Sequence, residues 1–258
     1  NIVKVTLDAG AVDRASDLAT LSANLQANVN AALQIDLQNV TTITGSFSDL
    51  NSISTNTGAL ESGSDFINFN GRALTLNETV SVGNANTLLG LTSGKVTASV
   101  TAGNLTTLNG LNAEAGNAIA TTVNTSTVDL GDLATLDTKI DQASGGSISI
   151  NDATTLEGSF TELNSFHTNR ANFDDKTNIT KATLDAGALD SASDLATLSA
   201  NLQTNVNAAL QIDLQNVTTI TGSFNDLNTI RTNTGALESG SDFISFDGRA
   251  LTLNETIS

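Results

Sequence analysis

The stretch Asp49-Leu50-Asn51-Ser52-Ile53 places a polar residue directly before two apolar residues that are three positions apart. The same arrangement occurs at Asp17-Leu18-Ala19-Thr20-Leu21 and returns along the whole chain. Apolar residues at this spacing in a polar context indicate one face of a short helix. The further members are Leu88 with Leu91, Leu105 with Leu108, Leu133 with Leu136, Leu163 with Phe166, Leu195 with Leu198, and Leu227 with Ile230.

These short helices belong to a longer repeat. Residues 1–81 align without a gap with residues 178–258, at an offset of 177, and only eleven of the 81 positions differ. Six of the helices fall within one 177-residue unit, so each takes about 30 residues, with uneven spacing. Repetition at such a period is typical of elongated repeat proteins, in which each unit packs on its neighbours.

Short segments of alternating side chains lie between the helices. Period-two alternation in segments rich in Val, Ile and Thr indicates β-strands. The predicted strands are Ile2–Leu7, Leu33–Leu37, Phe66–Phe69, Lys95–Val100, Ile119–Val123, Ser147–Ile150 and Leu251–Leu253.

Serine residues mark the starts of three helices. Ser159 and Glu162 have the spacing of a capping box, in which each side chain satisfies a backbone N–H of the other residue. Ser46 and Ser223 occupy the same place, and each has an aspartate three residues later. A glycine precedes each serine and suits a tight strand-to-helix turn. These glycines are Gly45, Gly158 and Gly222.

The repeated order of strand, helix and loop predicts the fold. Strands that are repeated in one direction must be parallel. We therefore expect an α/β solenoid, with stacked coils of short parallel strands, short helices on one side and about 30 residues per coil. Residues 1–258 would form one continuous solenoid, with one superrepeat of about six coils in 1–177 and the start of a second copy in 178–258. The predicted core contains Leu18, Leu21, Leu50, Ile53, Leu133, Leu136, Leu163 and Phe166.

The composition restricts the partners. The net charge is −17 with only ten Lys and Arg residues, so we expect no nucleic-acid partner, because phosphate binding requires basic side chains. No stretch approaches the length of a membrane-spanning helix. The chain begins with Asn and contains no Met or Cys. This predicts a processed chain or a piece of a longer one, within an assembly that continues past both ends.

The Leu-x-x-Leu spacing followed by a strand resembles leucine-rich repeats, although their Leu-x-Leu-x-x-Asn strand signature does not recur in each unit. The long Thr-, Asn- and Ser-rich repeats resemble the repeat regions of giant bacterial surface and secreted proteins, including cyanobacterial ones. That resemblance implies a scaffold or adhesin outside the cell or on its surface. The Gly-Gly-x-Gly-x-Asp nonapeptide of secreted calcium β-rolls is missing, so the resemblance transfers no calcium ligands.

No catalytic, cofactor-binding or metal-binding residue is predicted. His167 is the only histidine, and without cysteine or a second histidine it cannot build a zinc site. Gly145-Gly146 predicts a turn, because the Lys-Ser/Thr of a phosphate loop does not follow.

The scattered carboxylates are predicted to have a structural role, in capping helices or in keeping the surface solvated, because nearly all of them recur in the second copy. Calcium held between loops by Asp and Asn oxygens stays an open alternative. The carboxylates are Asp8, Asp13, Asp17, Asp36, Asp49, Glu61, Asp65 and Glu78. An ice-binding threonine face is a further alternative, with Thr121-Thr122, Thr154-Thr155 and Thr218-Thr219 as its candidates.

Together these features predict a protein that is not an enzyme. We expect a structural repeat segment of an exported fibre, sheath or adhesive surface protein, which self-associates along the solenoid axis or with neighbouring repeats, or meets a cell-surface or matrix partner. The alternative is a solenoid module that binds a protein, a carbohydrate or an ice surface. The absence of Trp and Tyr weighs against carbohydrate, because sugars usually stack on aromatic faces.

Overall fold

The computed structural model describes residues 2, 4–7, 14–29, 34–37, 39–55, 69, 71–169, 173–174, 178–186, 191–232 and 250–255. Within these ranges the α-helices are α1 (Ala15–Asn28), α2 (Phe47–Thr55), α3 (Val82–Leu89), α4 (Leu105–Leu108), α5 (Leu130–Asp137), α6 (Phe160–Asn169), α7 (Ala192–Asn205) and α8 (Phe224–Thr232). The strands are β1 (Lys4–Thr6), β2 (Gln34–Asp36), β3 (Thr42–Gly45), β4 (Ala73–Val80), β5 (Val96–Val100), β6 (Ala118–Thr122), β7 (Thr127–Asp129), β8 (Ser147–Ser149), β9 (Thr155–Gly158), β10 (Phe173–Asp174), β11 (Lys181–Leu184), β12 (Gln211–Asp213), β13 (Thr219–Gly222) and β14 (Ala250–Leu253).

The strands form four separate sheets, and the strand pairs run parallel. The largest sheet has six strands in the order β10-β8-β6-β5-β4-β3, and the next has four in the order β12-β11-β9-β7. Two further sheets contain only β1 with β2 and β13 with β14. Parallel strands require crossover connections, and the helices and loops between them supply these.

The expectation of an α/β solenoid, with stacked coils of about 30 residues and short helices on one side, is wrong. The fold is α/β with parallel strands, but the strands are divided among four sheets and do not form one ladder of stacked coils. The sequence pattern indicated one strand per unit, whereas short segments such as Thr127–Asp129 and Thr155–Gly158 are also strands and pair with each other. Because β7 pairs with β9 while β6 neighbours β8, successive strands of this region alternate between two sheets.

The chain divides into two compact units. Unit 1 contains Asn1–Ala102, Gly110–Thr121 and Thr138–Ser147. Unit 2 contains Gly103–Asn109, Thr122–Asp137 and Ile148–Ser258. The helices α1 to α3 therefore belong to unit 1 and α4 to α8 to unit 2.

Most of the predicted strands are confirmed. β1, β2, β5 and β8 lie within the segments whose side chains alternate in the sequence, and β6 and β14 overlap theirs but begin one residue earlier. The predicted strand Phe66–Phe69 lies outside the described residues except for Phe69, which is fully buried. Period two is therefore a reliable sign of strands in this chain, even though it did not identify which strands would pair.

The predicted helix caps are also confirmed. At the start of α6 the Ser159 N–H donates to Glu162 Oε2 over 2.8 Å, and the Glu162 N–H donates to Ser159 Oγ over 3.3 Å. The Asp49 N–H donates to Ser46 Oγ over 3.1 Å, and the Asp226 N–H makes the same bond to Ser223 over 3.1 Å. These bonds satisfy donors at helix starts that have no partner within the helix.

Seven of the eight predicted core residues are buried, and Leu21 is only half-buried. Leu21 and Leu25 lie on α1, which packs against α2. Their counterparts Leu198 and Leu202 lie on α7, which packs against both α6 and α8, and both are fully buried. The same helix sequence therefore reaches different burial because its neighbours differ.

Candidate functional site

An ion pair between a partly exposed lysine and a buried aspartate occurs in both copies of the repeat. Lys4 Nζ lies 2.9 Å from Asp36 Oδ2, and Lys181 Nζ lies 2.6 Å from Asp213 Oδ2. Each aspartate side chain is only 2% exposed. A buried carboxylate needs a partner of opposite charge, and in this chain the partner comes from the adjacent parallel strand. This duplicated pair joins two strands and leaves little of either carboxylate for a ligand.

Other duplicated polar side chains also bind backbone atoms. Asn39 Nδ2 donates to the Leu7 carbonyl over 3.1 Å, and Asn216 Nδ2 donates to the Leu184 carbonyl over 3.1 Å. Glu78 Oε1 accepts a 2.7 Å bond from the Phe47 N–H, the first residue of α2. These side chains therefore fix the backbone between segments that are distant in sequence.

The same glutamate contact returns in the second copy. Glu255 Oε1 accepts a 2.6 Å bond from the Phe224 N–H, the first residue of α8. Each carboxylate lies 31 residues after the N–H that it accepts from, Glu78 within β4 and Glu255 just after β14. A negative charge at the start of a helix is also favoured by the helix dipole.

Three carboxylates of unit 2 lie close enough to influence one another. Burial, with the negative charges of Glu162 and Asp129, raises the pKa of Asp185 above its ordinary value. Glu162 is part of the α6 capping box, and Asp129 Oδ1 accepts a 2.8 Å bond from the Asp132 N–H. Two of the three carboxylates are thus occupied at helix starts. Within the described ranges, no group of three His, Cys, Asp or Glu side chains could hold a metal ion.

We expect Asp185→Asn to raise the melting temperature at neutral pH by about 1–3 °C. The folded state holds the Asp185 proton more tightly than the unfolded state does, so the ionised carboxylate destabilises the fold. Its penalty appears as the pH rises from the ordinary Asp pKa through the raised one. The advantage of the variant should therefore shrink in acid, which thermal unfolding at about pH 3 and pH 7 would measure.

Asp141→Asn is the matched control, and it should change the melting temperature in the opposite direction. Hydrogen bonds from the Gly116 N–H and the Ser144 hydroxyl, both 2.7 Å long, lower the pKa of Asp141. Its carboxylate stabilises the fold above the ordinary Asp pKa, and this stabilisation is lost as the pH falls through the lowered value. The variant should melt at a lower temperature at pH 7. Equal shifts of both variants in one direction would contradict these assignments.

A polar groove of about 350 Å³ lies in unit 1. Three of its polar side chains bind backbone atoms of neighbouring segments. Asn86 Nδ2 donates to the Gly110 carbonyl over 2.8 Å, Asn117 Oδ1 accepts from the Val96 N–H over 2.7 Å, and Lys95 Nζ donates to the Ser144 carbonyl over 2.8 Å. These groups hold neighbouring segments together.

An apolar pocket of about 220 Å³ lies in unit 2. Leu133, Phe166 and Phe173 form much of its wall, and the two phenyl rings stack with their centroids 5.7 Å apart. Asp137 and Glu162 also line the pocket, and Glu162 is bonded to Ser159 in the α6 capping box. The pocket is chiefly a gap beside the core of α5 and α6.

Some of the residues that the sequence singles out lie outside the described part of the chain. His167 lies in α6, and its side chain is outside the described residues, as are Asp8, Asp13, Glu61 and Asp65. Gly145 has φ +96° after a short 3-10 helix, which confirms the predicted turn. The threonine pairs do not share one exposed face, because Thr121 is buried whereas Thr154 and Thr218 are exposed. In the described part of the chain, no helix has the length and apolarity to cross a membrane.

The strand Ala-Leu-Thr-Leu occurs twice, as the first half of β4 and as β14. Both copies pair on one side with the equivalent preceding strand in the same register, which places Thr42 beside Ala73 and Thr219 beside Ala250. β4 also pairs on its other side with β5. β14 is the last strand of its sheet, and on its outer side the described residues provide no strand.

This difference exposes apolar side chains. Leu74 and Leu76 of β4 are 0% and 9% exposed, whereas their counterparts Leu251 and Leu253 are 48% and 40% exposed. Phe224, beside β14 through the Glu255 bond, is 61% exposed. We call these three residues, Phe224, Leu251 and Leu253, the β14 edge. The alternating pattern predicted the strand, but it contained no sign that the second copy would be uncovered.

The comparisons with known proteins gave no match: no family model, no curated protein and no solved structure is similar to the chain.

Proposed function

We propose that this chain is a structural repeat segment of an exported fibre, sheath or adhesive surface protein, and that it associates with further copies of the same repeat. The observation that carries this proposal is the duplication of polar contacts. The Lys–Asp pair, the Asn-to-backbone bond and the Glu bond at a helix start occur in both copies at nearly the same lengths. Polar contacts that recur in both copies hold segments of the chain together, which is a structural role.

The character of the cavities supports the same proposal. Asn86, Lys95 and Asn117 in the groove of unit 1 bind backbone atoms, and the pocket of unit 2 is mainly apolar. General acid–base chemistry needs a positioned donor or acceptor whose proton can reach a substrate. The acidic composition favours a surface role as well. A net charge of −17 keeps a long chain with few aromatic residues soluble.

Location in the source cells tests this proposal. Antibodies raised against the chain should label intact, unpermeabilised cells by immunogold electron microscopy, on fibres, a sheath or other surface material. A cytoplasmic protein probed in the same sections provides the control for leaking cells. Labelling that appears only after permeabilisation would overturn the proposal of an exported protein.

A further inference from the structure

We infer that the β14 edge binds a parallel strand with the chemistry of β5, supplied by another copy of the repeat. This inference rests on the proposed function, because it names the partner through which repeat segments associate. It starts from one fact about the molecule: the same strand sequence is covered in β4 and open in β14.

The first copy shows what covers this strand. β5 lies parallel to β4, with Val96 beside Leu74, and the Leu74 N–H donates to the Lys95 carbonyl over 2.9 Å. At the other end of the pair the Thr101 N–H donates to the Val80 carbonyl over 2.8 Å. Main-chain bonds supply affinity in strand addition, and alternate side chains supply specificity.

β14 offers the counterpart of the first of these groups, whereas the counterpart of Val80, Ile257, lies outside the described residues. Leu251 is the counterpart of Leu74, and β13 pairs with β14 in the register of β3 with β4, so the Leu251 N–H points away from β13. Exposed edges in monomeric proteins usually carry charge, proline or a bulge, which prevents pairing with other chains. Ala250–Leu253 contains neither a charge nor a proline and exposes two leucines instead.

The chemistry of the partner follows from β5 and the helix before it. Val96, Ala98 and Val100 are buried, so the incoming strand should present apolar residues at alternate positions. α3 precedes β5 and packs against α2, with Ala85 and Leu88 buried. Its equivalent would cover α8, the counterpart of α2, where Phe224 is exposed. A segment like Ser81–Ala102 from another copy of the repeat meets both requirements.

A labelled peptide spanning Ser81–Ala102 provides the first test with the full chain. Fluorescence anisotropy should show saturable binding, and the double variant Leu251→Asp/Leu253→Asp should weaken it at least about tenfold. Both leucines are exposed, so this variant should fold, which circular dichroism would verify. The matched control is Val29→Asp, at a half-exposed valine of unit 1, which should bind like wild type. A peptide carrying Val96→Asp and Val100→Asp should not bind.

A second test joins the partner covalently, because a free peptide loses entropy when it becomes ordered. Residues Val82–Ala102 are added after Ser258, the counterpart of Ser81. Amide hydrogen exchange at Leu251 and Leu253 should slow at least about tenfold, whereas an added segment of scrambled sequence should leave it unchanged. Protection in this arm supports the inference even if the free peptide binds too weakly to detect.

The inference is overturned if the added segment gives no protection, or if the leucine double variant binds the peptide as well as wild type does. Surface labelling of the source cells would still support the proposed function in that case. If the peptide bound but antibodies labelled only permeabilised cells, the inference about the β14 edge would stand and the proposal of an exported protein would fail.

Discussion

Leu133→Asp should reduce the free energy of unfolding by at least about 4 kcal/mol, enough to unfold unit 2 at ambient temperature. Leu133 is 1% exposed in α5, a helix that packs against β7, β9, α4 and α6. An aspartate there would be a buried charge without a partner, or would have to be protonated to remain buried. Urea denaturation followed by circular dichroism would measure the loss.

The neighbouring residue provides the control. Ala134 is exposed on the same helix, so Ala134→Asp should change the unfolding midpoint little. Leu133→Ala should fall between the two, at about 2–5 kcal/mol, because it leaves a cavity but no charge. If Leu133→Asp unfolded at the same urea concentration as Ala134→Asp, the placement of α5 against its strands would be wrong.

Gly222→Ala should destabilise the chain by about 2 kcal/mol, and Ala192→Gly should restore part of the loss. A Cβ atom at Gly222 would lie 2.5 Å from Ala192 Cβ, a separation that packed carbon atoms do not reach. Both residues are buried, at the end of β13 and the start of α7. A double-mutant cycle by thermal unfolding would show a favourable coupling between the two substitutions.

The first copy repeats this test at Gly45, where the added Cβ would lie 2.6 Å from Ala15 Cβ. Gly83 provides a tolerant control, because the nearest atom to its added Cβ is Ser81 Oγ at 3.9 Å. Gly83→Ala should be neutral or stabilise α3, since alanine favours helix. A Gly222→Ala variant as stable as Gly83→Ala would contradict the close approach of strand and helix.

Local elements were predictable from the sequence because their signals are local. Alternation marked β5 and β8, and the Ser-x-x-Glu spacing marked the start of α6. Leu50 and Leu163 were identified as core because they recur at the same place in each helix pattern. Each of these signals depends on a few consecutive residues, and the predicted strand or helix start forms at those same residues.

Pairing and burial were not predictable, because they depend on which segment arrives as a neighbour. The sequence contains no sign that β7 would pair with β9 while β6 and β8 belong to another sheet. The contrasting exposure of Leu74 and Leu251, in identical strands, has the same cause. The candidate site could not be predicted for that reason: Ala-Leu-Thr-Leu has β5 beside it in the first copy, whereas the described residues place no strand on the outer side of β14.

The two glutamate contacts at helix starts both join a helix to a residue that comes later in the chain. The Phe47 N–H donates to Glu78 and the Phe224 N–H donates to Glu255. Each glutamate lies 31 residues further along the chain than its donor. During synthesis from the N-terminus, α2 therefore remains one capping bond short until the strand that follows it has left the ribosome. The start of α8 likewise gains its bond to Glu255 only after β14 has been made. Truncation within the following strand would consequently weaken the helix that precedes it, at a point where no residue has been changed.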